Sequence, residues 1–178
     1  MRVRESFPFV EEILSVHQSA LGGDFVAYRN HLRRVLNFHL ALTGEEEPAE
    51  AVAIAAAFHD LAIWTDGTFD YLGPSIRLAQ AWLDANGRGD LAPEVAALIH
   101  EHHKMLAYEG PFAASVETFR RADYVDVSLG LLRFGLPWRF VREVQAAHPD
   151  AGFHGRLVAL TARQVLRTPL CPLPMFHR

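Results

Sequence analysis

The sequence of 178 residues contains one cysteine and no apolar run long enough to cross a membrane. Because Cys171 has no second cysteine to pair with, a disulfide or a cysteine-based metal cage within one chain is excluded, and any metal needs nitrogen and oxygen ligands. The longest apolar run starts at Ala51 and stops at His59, far short of the ~20 residues of a transmembrane helix. The basic first residues lead to Pro8 and two glutamates instead of an apolar signal core, so we expect a cytoplasmic protein without a membrane partner.

The chain also lacks the charge pattern of a nucleic-acid-binding protein. Its formal net charge is −4, and lysine and arginine form no long run. Binding of duplex nucleic acid depends mainly on neutralising phosphates, so we expect no such partner, whereas a small phosphorylated molecule such as a nucleotide is compatible with the composition. Apolar residues make up 50% of the chain and charged residues 21%, which is typical of one globular domain. The oligomeric state is left open.

Strand patterns are absent as well, because no segment alternates apolar and polar residues between turn signals. Breakers and capping residues instead divide the chain into about eight stretches with helical periodicity. The sequence therefore predicts an all-α, single-domain helical bundle over residues 1–178, with an irregular, proline-rich tail over about 168–178. The predicted helices run from about Pro8 to before Gly22, Asp24 to Gly44, Pro48 to Trp64, Pro74 to Asn86, Pro93 to beyond His103, Ser115 to Phe134, Pro137 to His148, and Gly152 to Arg167. Asp24 and Ser115 are the predicted N-caps of the second and sixth helices.

Ten histidines are present, and some of them belong to an ordered set with aspartates. His31, the adjacent pair His59-Asp60, and Asp123 each lie among apolar residues on predicted core-facing helices. A lone helical histidine is more often a satisfied structural residue, but several buried ionisable groups need a partner or a metal ion. The set therefore predicts a divalent metal site. Mixed imidazole and carboxylate ligands suit Mn, Fe, Co, Ni or Zn, and Mg less well, without distinguishing among them.

The order His, His-Asp, Asp resembles the HD-domain superfamily of metal-dependent phosphohydrolases. The resemblance covers about residues 24–135 and is carried by the segments DFVAYRNHLRRVLNF, AAAFHDLAIW and ETFRRADYVD. It implies an HD-type helical bundle in which His31, His59, Asp60 and Asp123 bind one metal ion. The implied reaction is hydrolysis of a phosphate mono- or diester, often of a nucleotide.

Two-metal members of that superfamily carry one histidine after the HD pair and usually a later His-His pair. His102-His103 match the later pair, but the segment TDGTFDYLGPSIRLAQ after the HD pair contains no histidine. The match to a second metal site is therefore incomplete. On the fifth predicted helix His102 falls on the apolar face, His103 on its edge and His100 toward solvent. His102 and His103 are equally compatible with a structural role and with a role as phosphate hydrogen-bond donors or a partial second site.

Other charged residues near these segments are candidates for catalytic roles. Asp60 is suited to orient a water molecule or accept its proton. Arg34 and Lys104 are candidates to neutralise charge on the phosphoryl oxygens. Asp126, three residues after Asp123, is interpreted as a cap, salt-bridge or surface residue. The aromatic residues after the HD pair could stack on a base or cover a pocket, with core packing favoured: Trp64, Phe69 and Tyr71.

The sequence leaves three functions open. The first is a metal-dependent phosphoric ester hydrolase acting on a small molecule. The second is a non-catalytic HD module that binds a metal or ligand. The third is a di-iron oxygenase, because some proteins of the same superfamily oxidise substrates at two irons, although the missing histidine disfavours it. Turnover of phosphate esters separates the first from the second, and iron content with an oxygen requirement separates the third.

Overall fold

Residues 1–167 of the computed structural model are described, and the predicted irregular tail with Cys171 lies outside the described residues. Residues 1–167 form an all-α bundle without a β-strand, as the sequence predicts. Eight helices have eight residues or more, and two further helices are single turns. The bounds are α1 (Pro8–Ser15), α2 (Gln18–Leu21), α3 (Phe25–Thr43), α4 (Glu50–Phe58), α5 (Ala62–Thr65), α6 (Leu72–Ala85), α7 (Ala92–Glu101), α8 (Ala113–Val127), α9 (Trp138–Ala147) and α10 (Phe153–Arg167).

The alanine-rich helix α4 lies at the centre of the bundle. Every residue from Ala51 to Phe58 is buried, and α1, α3, α6 and α7 pack around the helix. Small alanine side chains allow neighbouring helices to approach closely, which places the C-terminal end of α4 deep inside the protein. No helix within residues 1–167 is both long and apolar enough to cross a lipid bilayer.

Helices α3 and α8 pack against each other beside α4. The 19-residue helix α3 packs along α8 and also contacts α4, α9 and α10. Its core face is not purely apolar, because His31, Arg34 and Asn37 are buried along with the leucine and valine residues. Buried polar groups of this kind need partners. Helix α8 supplies a carboxylate opposite His31 and Arg34, whereas Asn37 donates to the backbone carbonyls of Arg4 and Arg33.

Several helices end earlier than the sequence predicts. The predicted third helix is two helices, because the N–H of Ala62 donates to Ser75 Oγ at 3.3 Å and the N–H of Leu61 bonds the carbonyl of Phe58, three residues back. The predicted fifth helix ends at Glu101, so His102 and His103 lie beyond it. These differences arise from tertiary contacts that local helix propensity does not include.

Other predicted boundaries were also wrong. The predicted first helix is divided at residues 16–17 into α1 and α2, and the sixth ends at Val127 instead of near Phe134. Neither predicted N-cap makes a capping hydrogen bond. Asp24 instead accepts a hydrogen bond from Trp64 Nε1, and Ser115 lies inside α8 and donates to Glu94.

Candidate metal centre

Helices α3 and α8 place one histidine against two aspartates. Asp123 and Asp126 are three residues apart on α8 and therefore share one helix face. Asp126 Oδ2 lies 2.7 Å from His31 Nδ1, and Asp123 Oδ1 lies 3.6 Å from His31 Nε2. The imidazole of His31 thus lies between two carboxylates, one at each ring nitrogen.

The C-terminal ends of α4 and α7 bring the other histidines to the same place. His59 and His102 each follow directly after the last residue of a helix, and α4 packs against α7. Each ring directs Nδ1 at the carbonyl three residues back: His59 at Ala56, 2.8 Å away, and His102 at Ile99, 2.7 Å away. The last carbonyls of a helix lack helical partners, so both helix ends offer the same anchor for an imidazole.

The four ligands predicted from the sequence converge in the structure. His31 Nε2 and His59 Nε2 are 3.0 Å apart. Asp60 Oδ2 lies 3.5 Å from His59 Nε2, and Asp123 Oδ1 lies 3.8 Å from the same nitrogen. His31, His59 and Asp60 offer ligand atoms that all lie within 4.8 Å of one another, which makes them a group that could hold a metal ion.

In their neutral forms, the rings of His31 and His59 face each other with unprotonated Nε2 atoms. The Nδ1 atoms of His31, His59 and His102 face oxygen acceptors, so in the neutral rings Nδ1 carries the proton and Nε2 is unprotonated. Two unprotonated Nε2 atoms cannot hydrogen-bond across the 3.0 Å between His31 and His59. Within residues 1–167, Asp60 Oδ1, Asp123 Oδ1 and His102 Nε2 also have no hydrogen-bond partner. A metal cation satisfies such converging electron pairs, and the residues therefore fit a divalent ion.

The charges of the cluster favour a cation as well. Burial alone raises the pKa of Asp60, but the surrounding imidazoles, led by His59, lower it on balance below its usual range. Burial raises the pKa of Asp123 to about 6 and lowers that of His59 to about 3. Burial also lowers the pKa of His102, but the Asp60 carboxylate 3.4 Å away raises it on balance. The negative potential that favours a proton on His102 equally attracts a metal ion.

Apolar and aromatic side chains enclose the cluster. The ring of Phe153 stacks on His31 with 4.1 Å between ring centroids, and Phe119 meets the ring of His59 edge-on. Asp60 is 4% exposed, and the side chains of His31 and His59 are fully buried. Low solvent exposure strengthens electrostatic interactions with a bound ion.

A second group of potential ligands shares Asp60. Asp60, His102 and His103 offer ligand atoms within 4.8 Å of one another, and the two histidine rings lie 3.8 Å apart. The hydroxyl of Tyr71 hydrogen-bonds His103 Nε2. Burial raises the pKa of Tyr71, so its hydroxyl stays protonated and can donate the hydrogen bond to His103 Nε2. The sequence marked Tyr71 only as a stacking or packing residue, because nothing in the local pattern indicated a partner at His103.

The remaining predicted residues lie around this cluster at different depths. The Arg34 guanidinium is buried and binds Asp126, which contacts His31 at Nδ1 and not at Nε2. The role of Arg34 at the phosphoryl oxygens stays a prediction. The Lys104 side chain is 42% exposed and lies 3.8 Å from Glu101. His100 bonds Glu101 and is partly exposed, away from the buried histidines. Asp126 proved to be a buried salt-bridge residue, one of the roles left open by the sequence.

A comparison of the chain with models of protein families, with curated proteins and with solved structures found no match. The resemblance to the HD-domain superfamily therefore depends on the motif and on the buried histidine and aspartate cluster.

Proposed function

We propose that this protein is an HD-type metal-dependent phosphohydrolase that cleaves a phosphate ester of a small molecule, with nucleotides among the candidate substrates. One observation carries the proposal. The Nε2 atoms of His31 and His59 are 3.0 Å apart, beside two carboxylates, and in the neutral rings both protons are on Nδ1, which faces an oxygen acceptor in each case. The HD-like order of these residues supports a phosphoric ester as the substrate class.

In this proposal His31, His59, Asp60 and Asp123 hold one divalent ion. The carboxylates of Asp60 and Asp123 match its charge, since Asp126 already pairs with Arg34. When bound, such an ion supplies a Lewis acid that activates water and offsets the negative charge of a phosphoryl group.

The chain's own residues would orient the reactants. Asp60 Oδ1, which has no hydrogen-bond partner among the described residues, would accept a proton from the attacking water while the water oxygen bonds to phosphorus and the bond from phosphorus to the ester oxygen breaks. The proton would then pass to the ester oxygen, which leaves as an alcohol. His103 and Lys104 are the partly exposed members of the surroundings and mark the side from which a phosphate group would enter. Lys104 would lie near its non-bridging oxygens, and the buried His102, whose pKa the Asp60 carboxylate raises, would in its protonated form donate from Nε2 to them.

Elemental analysis of the purified protein, beside His59→Ala, Asp123→Asn and the matched control His100→Ala, tests the metal site. We expect about one divalent ion per chain in the wild type and the control, and almost none in the two site variants, because each loses a ligand. Circular dichroism would check that all variants remain helical. A metal-free wild type after reconstitution, or site variants that keep the metal, would contradict the proposal.

Turnover then separates an enzyme from a binding module. We expect the reconstituted wild type to hydrolyse members of a panel of p-nitrophenyl phosphate, bis-p-nitrophenyl phosphate and nucleotides. Asp123→Asn should lose at least about 100-fold in kcat/KM, since catalysis by the bound metal contributes several kcal/mol. A metal-loaded protein without turnover of any phosphate ester would favour the non-catalytic module.

The second group around Asp60 keeps the di-iron oxygenase as an alternative. Asp60, His102 and His103 supply some ligands for another ion, although no histidine follows the HD pair within Thr65–Gln80. About two irons per chain together with substrate-dependent oxygen uptake would favour this alternative over hydrolysis.

A further inference from the structure

Asp126 contacts His31 at Nδ1, the ring nitrogen that is not the predicted metal ligand, and Arg34 binds Asp126. Arg34 Nη2 lies 2.9 Å from Asp126 Oδ2, and Arg34 Nε lies 2.5 Å from Asp126 Oδ1. The same Oδ2 lies 2.7 Å from His31 Nδ1. We propose that Arg34 and Asp126 are positioning residues that hold His31 in the one tautomer whose Nε2 lone pair can bind a metal.

The hydrogen-bond chemistry of the three groups permits one proton arrangement. A guanidinium has only donors, so both oxygens of Asp126 act as acceptors toward Arg34. Because a carboxylate that receives two guanidinium hydrogen bonds is ionised, it can only accept from His31 as well. The proton of the neutral His31 ring is therefore on Nδ1, and Nε2 carries the lone pair.

Without this arrangement the ring could place its proton on either nitrogen. A proton on Nε2 would block the metal-binding atom and would have to move before an ion could bind. A carboxylate behind a ligand histidine raises the basicity of the ring and fixes its orientation. Arg34 and Asp126 therefore keep Nε2 of the neutral His31 ring unprotonated in the metal-free protein.

The position of Arg34 is itself fixed by a distant part of the chain. Arg34 Nη1 donates to the carbonyl of His148 at 3.0 Å, which belongs to the connection between α9 and α10. Directly after this connection, the first residue of α10, Phe153, stacks on the His31 ring. The arginine side chain is 2% exposed, so water does not compete strongly for these bonds.

The role of Arg34 and Asp126 in metal binding rests on the proposed function. The tautomer of His31 can be measured without a metal. In metal-free protein labelled with ¹⁵N-histidine, NMR distinguishes protonated from unprotonated ring nitrogens. We expect His31 in the wild type to show a protonated Nδ1 and an unprotonated Nε2. In Asp126→Asn the amide N–H₂ can face His31, so we expect the proton to move at least partly to Nε2. An unchanged tautomer in the folded variant would overturn the proposal.

The second test measures the affinity of the metal alone, for example Co(II) or Zn(II), by calorimetry. Asp126→Asn should weaken binding roughly 10- to 100-fold, as loss of a carboxylate behind a metal-binding histidine usually does. The matched control is Arg33→Met, which removes the 2.8 Å ion pair with Glu11 from the neighbouring position of α3. We expect the control to keep wild-type metal affinity even where it lowers the melting temperature.

If Asp126→Asn does not fold, Arg34→Lys carries both tests. Lysine keeps a positive charge but loses the planar fork, so we expect a mixed His31 tautomer and metal binding weakened about 3- to 10-fold. A purely structural role predicts lower stability with the wild-type tautomer and affinity, and that result would overturn the proposal. Absence of metal binding in the wild type would instead contradict the proposed function, while the metal-free NMR test would still decide the tautomer.

Discussion

The two histidines of α3 differ chemically because only one of them has a carboxylate partner at Nδ1. His31 is fully buried and pairs with the Asp126 carboxylate. His39 is 2% exposed, and its Nδ1 has no hydrogen-bond partner within residues 1–167. Burial accordingly lowers the pKa of His39 to about 4. One helix therefore carries a ring that pairs with a carboxylate and a ring that burial keeps neutral.

His39 should make stability depend on pH. Its folded pKa of about 4 lies below the ordinary 6.5, so the unfolded chain binds the proton more readily. Stability should be fully present above pH 6.5 and should fall by up to about 3 kcal/mol as the pH drops toward 4. His39→Leu should flatten that part of the curve. Urea unfolding at several pH values measures it, and equal pH dependence in both proteins would contradict the argument.

Single residues also show how far the sequence predicted the site. His31, His59, Asp60 and Asp123 could be grouped from their order and apolar surroundings, and the structure brings them together. Asp126 could not be assigned, because an aspartate three residues from Asp123 has the same local pattern whether it pairs with a histidine, an arginine or water. Only the position of α3 selects the partner.

At the level of elements, the candidate metal centre is built largely from helix ends. The turns after α4 and α7 carry two adjacent pairs, His59-Asp60 and His102-His103. Helical periodicity predicted that α4 and α7 would continue through these residues. The structure ends both helices there, and the last carbonyls bind imidazoles instead of the next turn. This ending is why adjacent side chains can converge.

The connection between α8 and α9 depends on a glycine with a positive φ. Gly130 has φ +84°, and a Cβ atom there would lie 2.6 Å from Trp138 and 2.8 Å from Val141. Gly135, in the same connection, has φ +89° but nothing within 4 Å of such an atom. A side chain at Gly135 would add backbone strain alone, whereas a side chain at Gly130 would add both strain and overpacking.

Gly130→Ala should therefore destabilise the protein more than Gly135→Ala. We expect a loss of about 2–4 kcal/mol for the first, from strain and overpacking together, and about 1–2 kcal/mol for the second, from strain alone. Chemical denaturation of both variants measures the difference. Equal losses would show that Trp138 moves away without cost.

At the level of the whole molecule, the candidate metal centre joins the helices of the bundle. The four predicted ligands come from α3, from the turn after α4 and from α8, and these elements meet only in the folded chain. An ion bound there would bind the folded state and not the unfolded one. Its binding energy would therefore add to the free energy of unfolding.

Removal of the metal should lower the melting temperature. With free metal at 100 times the Kd, binding contributes about 2.7 kcal/mol, which corresponds to roughly 5–10 °C for a chain of this size. Calorimetry with metal and with EDTA measures the shift. His59→Ala should show almost no shift, and a wild type that melts at one temperature in both buffers would contradict the metal site.

The sequence by itself determined the helical class, the approximate positions of the long helices and the four residues of the predicted metal site. These features depend on local periodicity and on residue order, both of which are present before folding. The tertiary structure decided where α4 and α7 end, which aspartate pairs with Arg34, and which nitrogen of each histidine faces the centre. The pairing of Asp126 with Arg34 and His31 depends on hydrogen bonds between α3 and α8, which are far apart in the chain, and the break after α4 is accompanied by the bond from Ala62 to Ser75 on α6. These partners meet only when the bundle packs.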